Sequence, residues 1–279
     1  MRVLRDPRWL GGLAVAVVFA VVCVLLAQWQ LDRRVQRAER NAAVLENYDS
    51  PPLPLDDAPA GAARGATDGG LSARPAPEQQ WTPVRLVGRY DPDATVLVRN
   101  RPQGGSNGYQ VAVPFDTRAP GGTSLRLLLV RGWVPAGVGA DGPSTVPPPP
   151  SGTVEVVARL RSAESPATRD APAGQTYRLD LARLLGDGGP AAPPSGDVLT
   201  GAYGVVATED GDPPPGMATV ERPDTDPGPH LAYGVQWYLF ALTGLVIWLV
   251  MARRHELEGR SVGSQPQEHA GGWVYDPGR

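Results

Sequence analysis

The sequence predicts a membrane protein in which two transmembrane helices flank a mainly-β domain held on one side of the bilayer. Three observations carry that reading. Two apolar runs, Trp9 to Leu31 and Leu231 to Ala252, have the length a bilayer crossing needs. The polar stretch between them alternates apolar and polar residues in short segments separated by Gly- and Pro-rich turns. Arginines crowd the ends of both apolar runs.

Residues 1–8 read as a short N-terminal segment before the first helix. Residues 9–31 carry no charge, and at about 1.5 Å of rise per residue they extend roughly 34 Å, enough for a hydrocarbon core of about 30 Å. A cleaved signal peptide is the alternative. The apolar stretch is too long for one, and Leu25-Leu26-Ala27-Gln28 makes a poor cleavage site. Residues 32–80 read as a charged helical extension, Asp32 to Tyr48, followed by a flexible Pro/Ala/Gly-rich linker, Ser50 to Gln80.

The domain is expected over residues 81–208. Val84, Leu86 and Tyr90 alternate with polar or small residues, and Ala94 to Arg99, Tyr109 to Phe115 and Leu125 to Val134 continue the strand signals. Asp91-Pro92-Asp93 and the run Gly104 to Gly108 supply the turns, so the first three strands read as an antiparallel meander. Leu125 to Val130 is almost continuously apolar, as in a central strand covered on both faces. After Pro147 to Pro150, Val154, Val156, Ala158 and Leu160 mark another strand. Leu179 to Leu185 reads as a short helix and Val198 to Thr208 as a last strand. A β-sandwich and a partly open barrel, in the α+β class, both accommodate this pattern. Residues 209–229 read as a second linker, 230–252 as the second transmembrane helix, and 253–279 as a disordered tail.

Composition excludes several functions. With 26 basic and 29 acidic residues the chain lacks the excess positive charge of a nucleic-acid binder. All the basic residues are Arg, and with the heavy use of Ala, Gly and Pro this reads as a GC-rich bacterial coding bias. Cys23, the one cysteine, excludes an intrachain disulfide and a Cys-x-x-Cys metal shuttle. No His precedes His230, and no Ser or Cys has a base partner, which argues against an enzyme. Asp91, Asp93, Asp180 and Asp187 sit in turn-like contexts where solvated carboxylates are ordinary, and Gly104-Gly105 lacks the Lys and helix of a phosphate loop.

Three blocks stand out: Gln28-Trp29-Gln30-Leu31-Asp32-Arg33 leaving the first helix, Arg131-Gly132-Trp133-Val134-Pro135 in the domain, and His230-Leu231-Ala232-Tyr233-Gly234-Val235-Gln236-Trp237 entering the second helix. Val87-Gly88-Arg89-Tyr90-Asp91, Arg99-Asn100-Arg101-Pro102 and Gly108-Tyr109-Gln110-Val111-Ala112-Val113-Pro114 lie between them in order. In order and placement these blocks resemble the Surfeit-locus-one family of cytochrome c oxidase assembly proteins, as a bacterial, actinobacterial-type member. Two positions depart from the family pattern, which usually has Gly at Ala27 and often Asn at Val130.

The resemblance implies a non-enzymatic assembly role, supporting delivery of haem a to oxidase subunit I, with haem a synthase as a further partner. It also implies a cell-membrane location with cytoplasmic termini and an extracytoplasmic domain, an orientation that arginine counting favours only narrowly. In that reading His230 is the metal ligand, with Tyr233, Gln236 and Trp237 near it on the second helix. Trp29 and Gln30 reach the same leaflet from the first helix, and Arg33 and Arg34 stand just outside to pair with haem propionates. The alternative is a cofactor-free scaffold for subunit I, in which the aromatics are interfacial anchors and the arginines meet lipid phosphates. Within the domain, Gly132 is expected to relieve crowding, Trp133 to fill the core or dock a partner, and Pro135 to end its strand.

Overall fold

A computed structural model of the chain describes residues 6–58, 73–119, 122–137, 142–143 and 145–262. In chain order the elements are α1 (Pro7–Asn47), β1 (Leu53–Pro54), β2 (Pro83–Tyr90), β3 (Val96–Val98), β4 (Gly108–Arg118) and β5 (Ser124–Pro135). They continue with β6 (Val154–Ser162), β7 (Gln175–Thr176), α2 (Leu181–Leu185), β8 (Asp197–Val198), β9 (Ala202–Glu209) and α3 (His230–Val262). Two compact units result, one from residues up to Gln36 together with those from Pro227 onward, the other from Arg37–Asp226.

In the first unit, α1 begins where Asp6 caps it: the Asp6 carboxylate accepts from the Arg8 N–H at 2.9 Å, and Pro7 takes the first helical position, where a missing N–H costs nothing. α3 packs antiparallel to α1. Trp9 faces His255 with ring centroids 5.1 Å apart, Gly12 meets Trp248, Phe19 meets Gly244, and Ala20 and Cys23 meet Ala241. Small residues at these crossings let the two backbones approach closely, as membrane helix pairs require. Both helices are long and apolar enough to cross a membrane. Only 11% of the most apolar window of each is buried, so these are not core helices of a globular body.

The second unit is a barrel. β2 pairs with β6, β6 with β9, β9 with β5, β5 with β4, and β4 returns to β2 through Gly88↔Thr117, Arg89↔Asp116 and Tyr90↔Phe115. Five strands therefore close on themselves, and every pairing in the ring is antiparallel except β5 with β9. Closure removes the exposed strand edges that an open sheet would leave. Gly88 permits it, because a Cβ there would overlap the Asp116 carbonyl. The interior is filled by Val84, Leu86, Val111, Val113, Phe115, Leu127 and Leu129, among others.

Leu128 and Val130 point the other way, into a second cluster with α2 (Leu181, Leu184, Leu185), Trp81, Tyr203 and Val44. β5 is thus covered on both faces, as its continuous apolar run predicts. A β-bulge interrupts β5 between the partners Val111 and Ala112, leaving Arg131 as the extra residue.

The structure revises several sequence expectations. The closed barrel replaces the sandwich and the partly open barrel. β2 does not begin a meander; it pairs with β6 and β4, while β3 pairs with β4 and β7. The supposed linker of residues 50–80 contributes β1, which runs parallel to β2, and a buried Leu55, although residues 59–72 lie outside the described residues. The 209–229 segment is likewise laid on the barrel: Ala218 and Trp133 exchange two backbone hydrogen bonds of 2.8 and 3.0 Å, and Met217 packs against the interior cluster. Its many prolines suit an extended strap pinned at intervals as well as they suit a free linker. α3 continues ten residues beyond Ala252, to Val262; the expectation for 263–279, like that for residues 1–5, lies outside the described residues.

Candidate functional site

His230 is the first residue of α3, following Pro229, which ends the strap. Its ring is half-buried, and Nδ1 stands 2.9 Å from the Gln30 Oε1 of α1. With the Gln30 oxygen as the acceptor, the neutral imidazole tautomer that fits this contact carries its proton on Nδ1 and has its lone pair on Nε2. A side chain on the facing helix thus contacts one ring nitrogen and orients the ring, the same device that orients metal-binding imidazoles through their second nitrogen.

The pair meets where the helices approach closely. A Cβ added to Gly234 would lie 3.4 Å from Leu31 Cδ2 and 3.7 Å from the Ala27 carbonyl oxygen, and Ala27 is fully buried. On α3 the contact face runs through His230, Gly234, Trp237 and Ala241, a spacing of four, three and four that keeps one side of the helix toward α1. Trp237 lies half-buried against the Ala20, Cys23 and Ala241 cluster, edge-on to Phe240 at 5.7 Å.

Other sequence-predicted positions fall outside this contact. Trp29 is 51% exposed and sits about 100° around α1 from Gln30. It carries the Arg33 guanidinium over its ring at 5.6 Å, and Arg33 also donates to Gln36 Oε1 at 3.4 Å. Arg34 is exposed, as are Tyr233 (49%) and Gln236. The structure therefore brings His230, Gln30 and Trp237 to the helix contact, and leaves Trp29, Arg33, Tyr233 and Gln236 facing outward around it. The sequence reading names Ala27 only as a departure from the family pattern, and Leu31 and Gly234 only within their blocks, without placing them at a helix contact, though the small residue four positions after His230 signals such an approach.

A single imidazole flanked by exposed aromatic and guanidinium groups is a residue set that could hold a flat, carboxylate-bearing iron macrocycle, with His230 as the nitrogen ligand. Among the described residues no cluster of three or more His, Cys, Asp or Glu is present that would hold a bare metal ion.

The other sequence blocks converge in the barrel. Trp133 Nε1 donates to the Arg101 carbonyl at 2.6 Å, its ring covers Gly108, and Arg101 N–H donates to the Gly108 carbonyl at 3.1 Å. Gly132 is held by Ala218 and Met217, each 2.9 Å from where its Cβ would stand, which supports its assignment to relieving crowding. Trp133 is buried to 9% exposure and so belongs to the domain's own packing.

Comparison with known proteins places these features in a lineage. The model of the SURF1 family matches residues 17–242, a stretch that includes Gln30, the whole barrel and His230. An uncharacterized SURF1-like protein of Mycobacterium bovis is 32% identical over 276 residues, covering 94% of this chain and 92% of the relative. Uncharacterized SURF1-like proteins of two Mycobacterium tuberculosis strains match to the same extent. On the family match and on 32% identity over 94% of its length, this chain belongs to the SURF1 family.

Proposed function

We propose that this chain is a bacterial cell-membrane assembly factor for the terminal cytochrome c oxidase, and that it holds haem a in transit to subunit I with His230 as the iron ligand. Membership in a family of oxidase assembly factors supports the first part. The observation that carries the second is the 2.9 Å contact between His230 Nδ1 and Gln30 Oε1. It leaves Nε2 as the available donor nitrogen at the end of a helix pair where apolar side chains are exposed for a farnesyl tail.

In this reading both apolar helices span the membrane, the termini are cytoplasmic and the barrel is extracytoplasmic. Exposed Arg33 and Arg34 pair with the propionates, and Trp29 and Tyr233 supply aromatic faces near the macrocycle. The protein contributes binding and orientation; the redox chemistry belongs to the oxidase that receives the cargo. Haem a synthase and subunit I are the partners this role requires. No step needs a catalytic group, so the chain is read as a carrier and not an enzyme.

The test is the absorption spectrum of the purified chain after co-expression with haem a synthesis enzymes. Retained haem a in the wild type, lost in His230→Ala, is the expected result. Equal haem content in both removes His230 from the site, and no haem in either favours a cofactor-free scaffold for subunit I.

A further inference from the structure

Beyond its apolar run, α1 continues from Asp32 to Asn47 and carries two separate faces there. One is occupied. Ala43 and Val44 are buried, Val44 joins the cluster around Trp81, and Arg37 and Asn41 donate to the Asp226 and Thr225 carbonyls, each at 2.7 Å. The other face is bare. Val35, Ala38, Ala42 and Leu45 are exposed, Val35 to 56% and Leu45 to 64%. With Ala43 and Val44 they are all the apolar residues of this stretch, so every one that is not buried lies on the second face.

Their spacing of three, four and three is that of the a and d positions of a heptad, the seam of a coiled coil. The same alternation runs back through Leu31, Gln28, Val24, Val21 and Val17. In the first unit Val17, Val21, Val24 and Gln28 line an open groove of about 290 Å³ with Leu245. Val21 and Val35 take a positions, and Leu31 and Leu45 take d positions, a choice that favours two parallel strands. Leu31 is half-buried and also packs at Gly234.

Charge on the flanks selects the occupant. In a parallel pair the residue before each a position meets the residue after the next d position of the other strand, five places on. Here those residues are Arg34 and Glu39, opposite in charge, both exposed and neither in an ion pair among the described residues. Each copy supplies both charges, so the stripe complements itself. Gln28 is the one polar group on the seam, and its carboxamide both donates and accepts, so two identical copies satisfy each other in register.

We infer that α1 pairs with α1 of a second copy as a parallel two-stranded coiled coil along the stripe from Val17 to Leu45, with Arg34 of each copy against Glu39 of the other. The parallel orientation rests on reading α1 as membrane-spanning, since both copies then insert the same way; the haem reading is not used.

The test uses the full chain. Ala38→Cys places a thiol on the seam and Arg33→Cys places one on the far side of the same helix, with the buried Cys23 as background in both. Oxidation of membranes holding each variant is expected to give a disulfide-linked dimer from Ala38→Cys and little from Arg33→Cys. In detergent, Arg34→Glu should weaken self-association about tenfold, because two attractions become two repulsions, and Arg34→Glu combined with Glu39→Arg should restore it. Val35→Asp with Leu45→Asp, both at exposed positions, should leave a monomer with unchanged circular dichroism. A cross-link from Ala38→Cys to a different protein would assign this face to another partner and overturn the proposal. So would equal cross-linking from both thiols, a double charge variant no stronger than Arg34→Glu, or a wild type that stays monomeric by analytical ultracentrifugation. Recovery of the chain outside the membrane fraction counts against the spanning reading instead, and the charge swap then decides the pairing by itself.

Discussion

Arg131 and Glu209 form a two-pronged ion pair inside the barrel, Nε to Oε1 at 2.6 Å and Nη2 to Oε2 at 2.8 Å, with the Arg131 side chain fully buried. Arg131 is the extra residue of the β5 bulge, its Nη1 donates to the Pro147 carbonyl at 3.1 Å, and its guanidinium lies 5.3 Å from the Tyr90 ring. One charged group thereby ties together the Val87 to Asp91 block, the Arg131 to Pro135 block, the end of β9 and the proline run.

Removing one partner strands the other in a dry interior. Glu209→Ala should lower stability by about 3–5 kcal/mol, whereas Arg131→Met combined with Glu209→Leu should recover most of that loss, because two apolar groups replace two desolvated charges. Thermal unfolding of the detergent-solubilised chain, followed by near-ultraviolet circular dichroism, gives the order. A double variant as unstable as Glu209→Ala would show that the pair does more than neutralise itself.

Tyr90 lies against the same pair. Burial, and next the Glu209 carboxylate, push its hydroxyl well above the usual tyrosine range, and burial does the same to Tyr203. The folded state therefore keeps these protons to higher pH than the unfolded chain does. Their contribution is complete below the unfolded tyrosine value near 10 and is lost as pH rises beyond it, at up to about 1.4 kcal/mol per pH unit for each group. Stability measured from about pH 9 to pH 11.5 should fall more steeply in the wild type than in Tyr90→Phe. Parallel curves would refute the assignment for Tyr90.

Barrel closure depends on glycine at one crossing. At Gly88 an added Cβ would strike the Asp116 carbonyl and approach Phe115 to 2.8 Å; at Gly204 the nearest atom is the flexible Leu129 Cδ2 at 2.6 Å. Backbone cannot yield as a leucine tip can. Gly88→Ala should thus cost about 3 kcal/mol or more and open the β2–β4 seam, while Gly204→Ala should cost about 1–2 kcal/mol. Hydrogen exchange of the Gly88 to Tyr90 amides reads the seam directly.

Why some of this was legible in the sequence follows from range. The apolar runs of α1 and α3, the two-sided burial of β5 and the alternation of β6 are local patterns, set by hydropathy and period within a dozen residues. The β2–β4 closure, the bulge at Arg131 and the strap from Met217 to Ala218 join residues far apart, and no short-range pattern announces them. Leu53 and Leu55 went unseen because a two-residue strand and the single 3-10 turn after it, Leu55–Asp57, have no period to detect. At the candidate site, His230 was conspicuous by rarity, but its partner could not be chosen among Trp29, Gln30, Arg33 and Arg34 without knowing the rotation of α1. That rotation turns Gln30 inward and Trp29 outward.

The outward face carries its own expectation. Arg33 is exposed and stacked on Trp29 at 5.6 Å, so any propionate it meets is also solvated. Arg33→Ala with Arg34→Ala should lower haem a retention severalfold, less than His230→Ala does, since exposed ion pairs contribute roughly 0–1 kcal/mol each. Haem-to-protein ratios from absorption spectra decide it. A larger loss in the arginine variant would move the main anchor from the iron to the carboxylates.

Gln30 offers the sharpest test of how His230 is held. Because its Oε1 accepts from Nδ1 at 2.9 Å, Gln30→Leu should keep the helix contact yet free the imidazole to rotate and to place its proton on either nitrogen. Losing such an orienting partner typically costs about 10–100-fold in metal affinity. Gln30→Glu keeps an acceptor and adds charge, which makes the ring a stronger donor to iron, so its retention should equal or exceed that of the wild type. The two substitutions therefore separate in haem a affinity, Gln30→Leu falling below the wild type and Gln30→Glu not, while leaving His230 in place, an ordering that packing alone does not produce. If both variants titrate like the wild type, the contact orients nothing that haem uses, and His230 acts without Gln30.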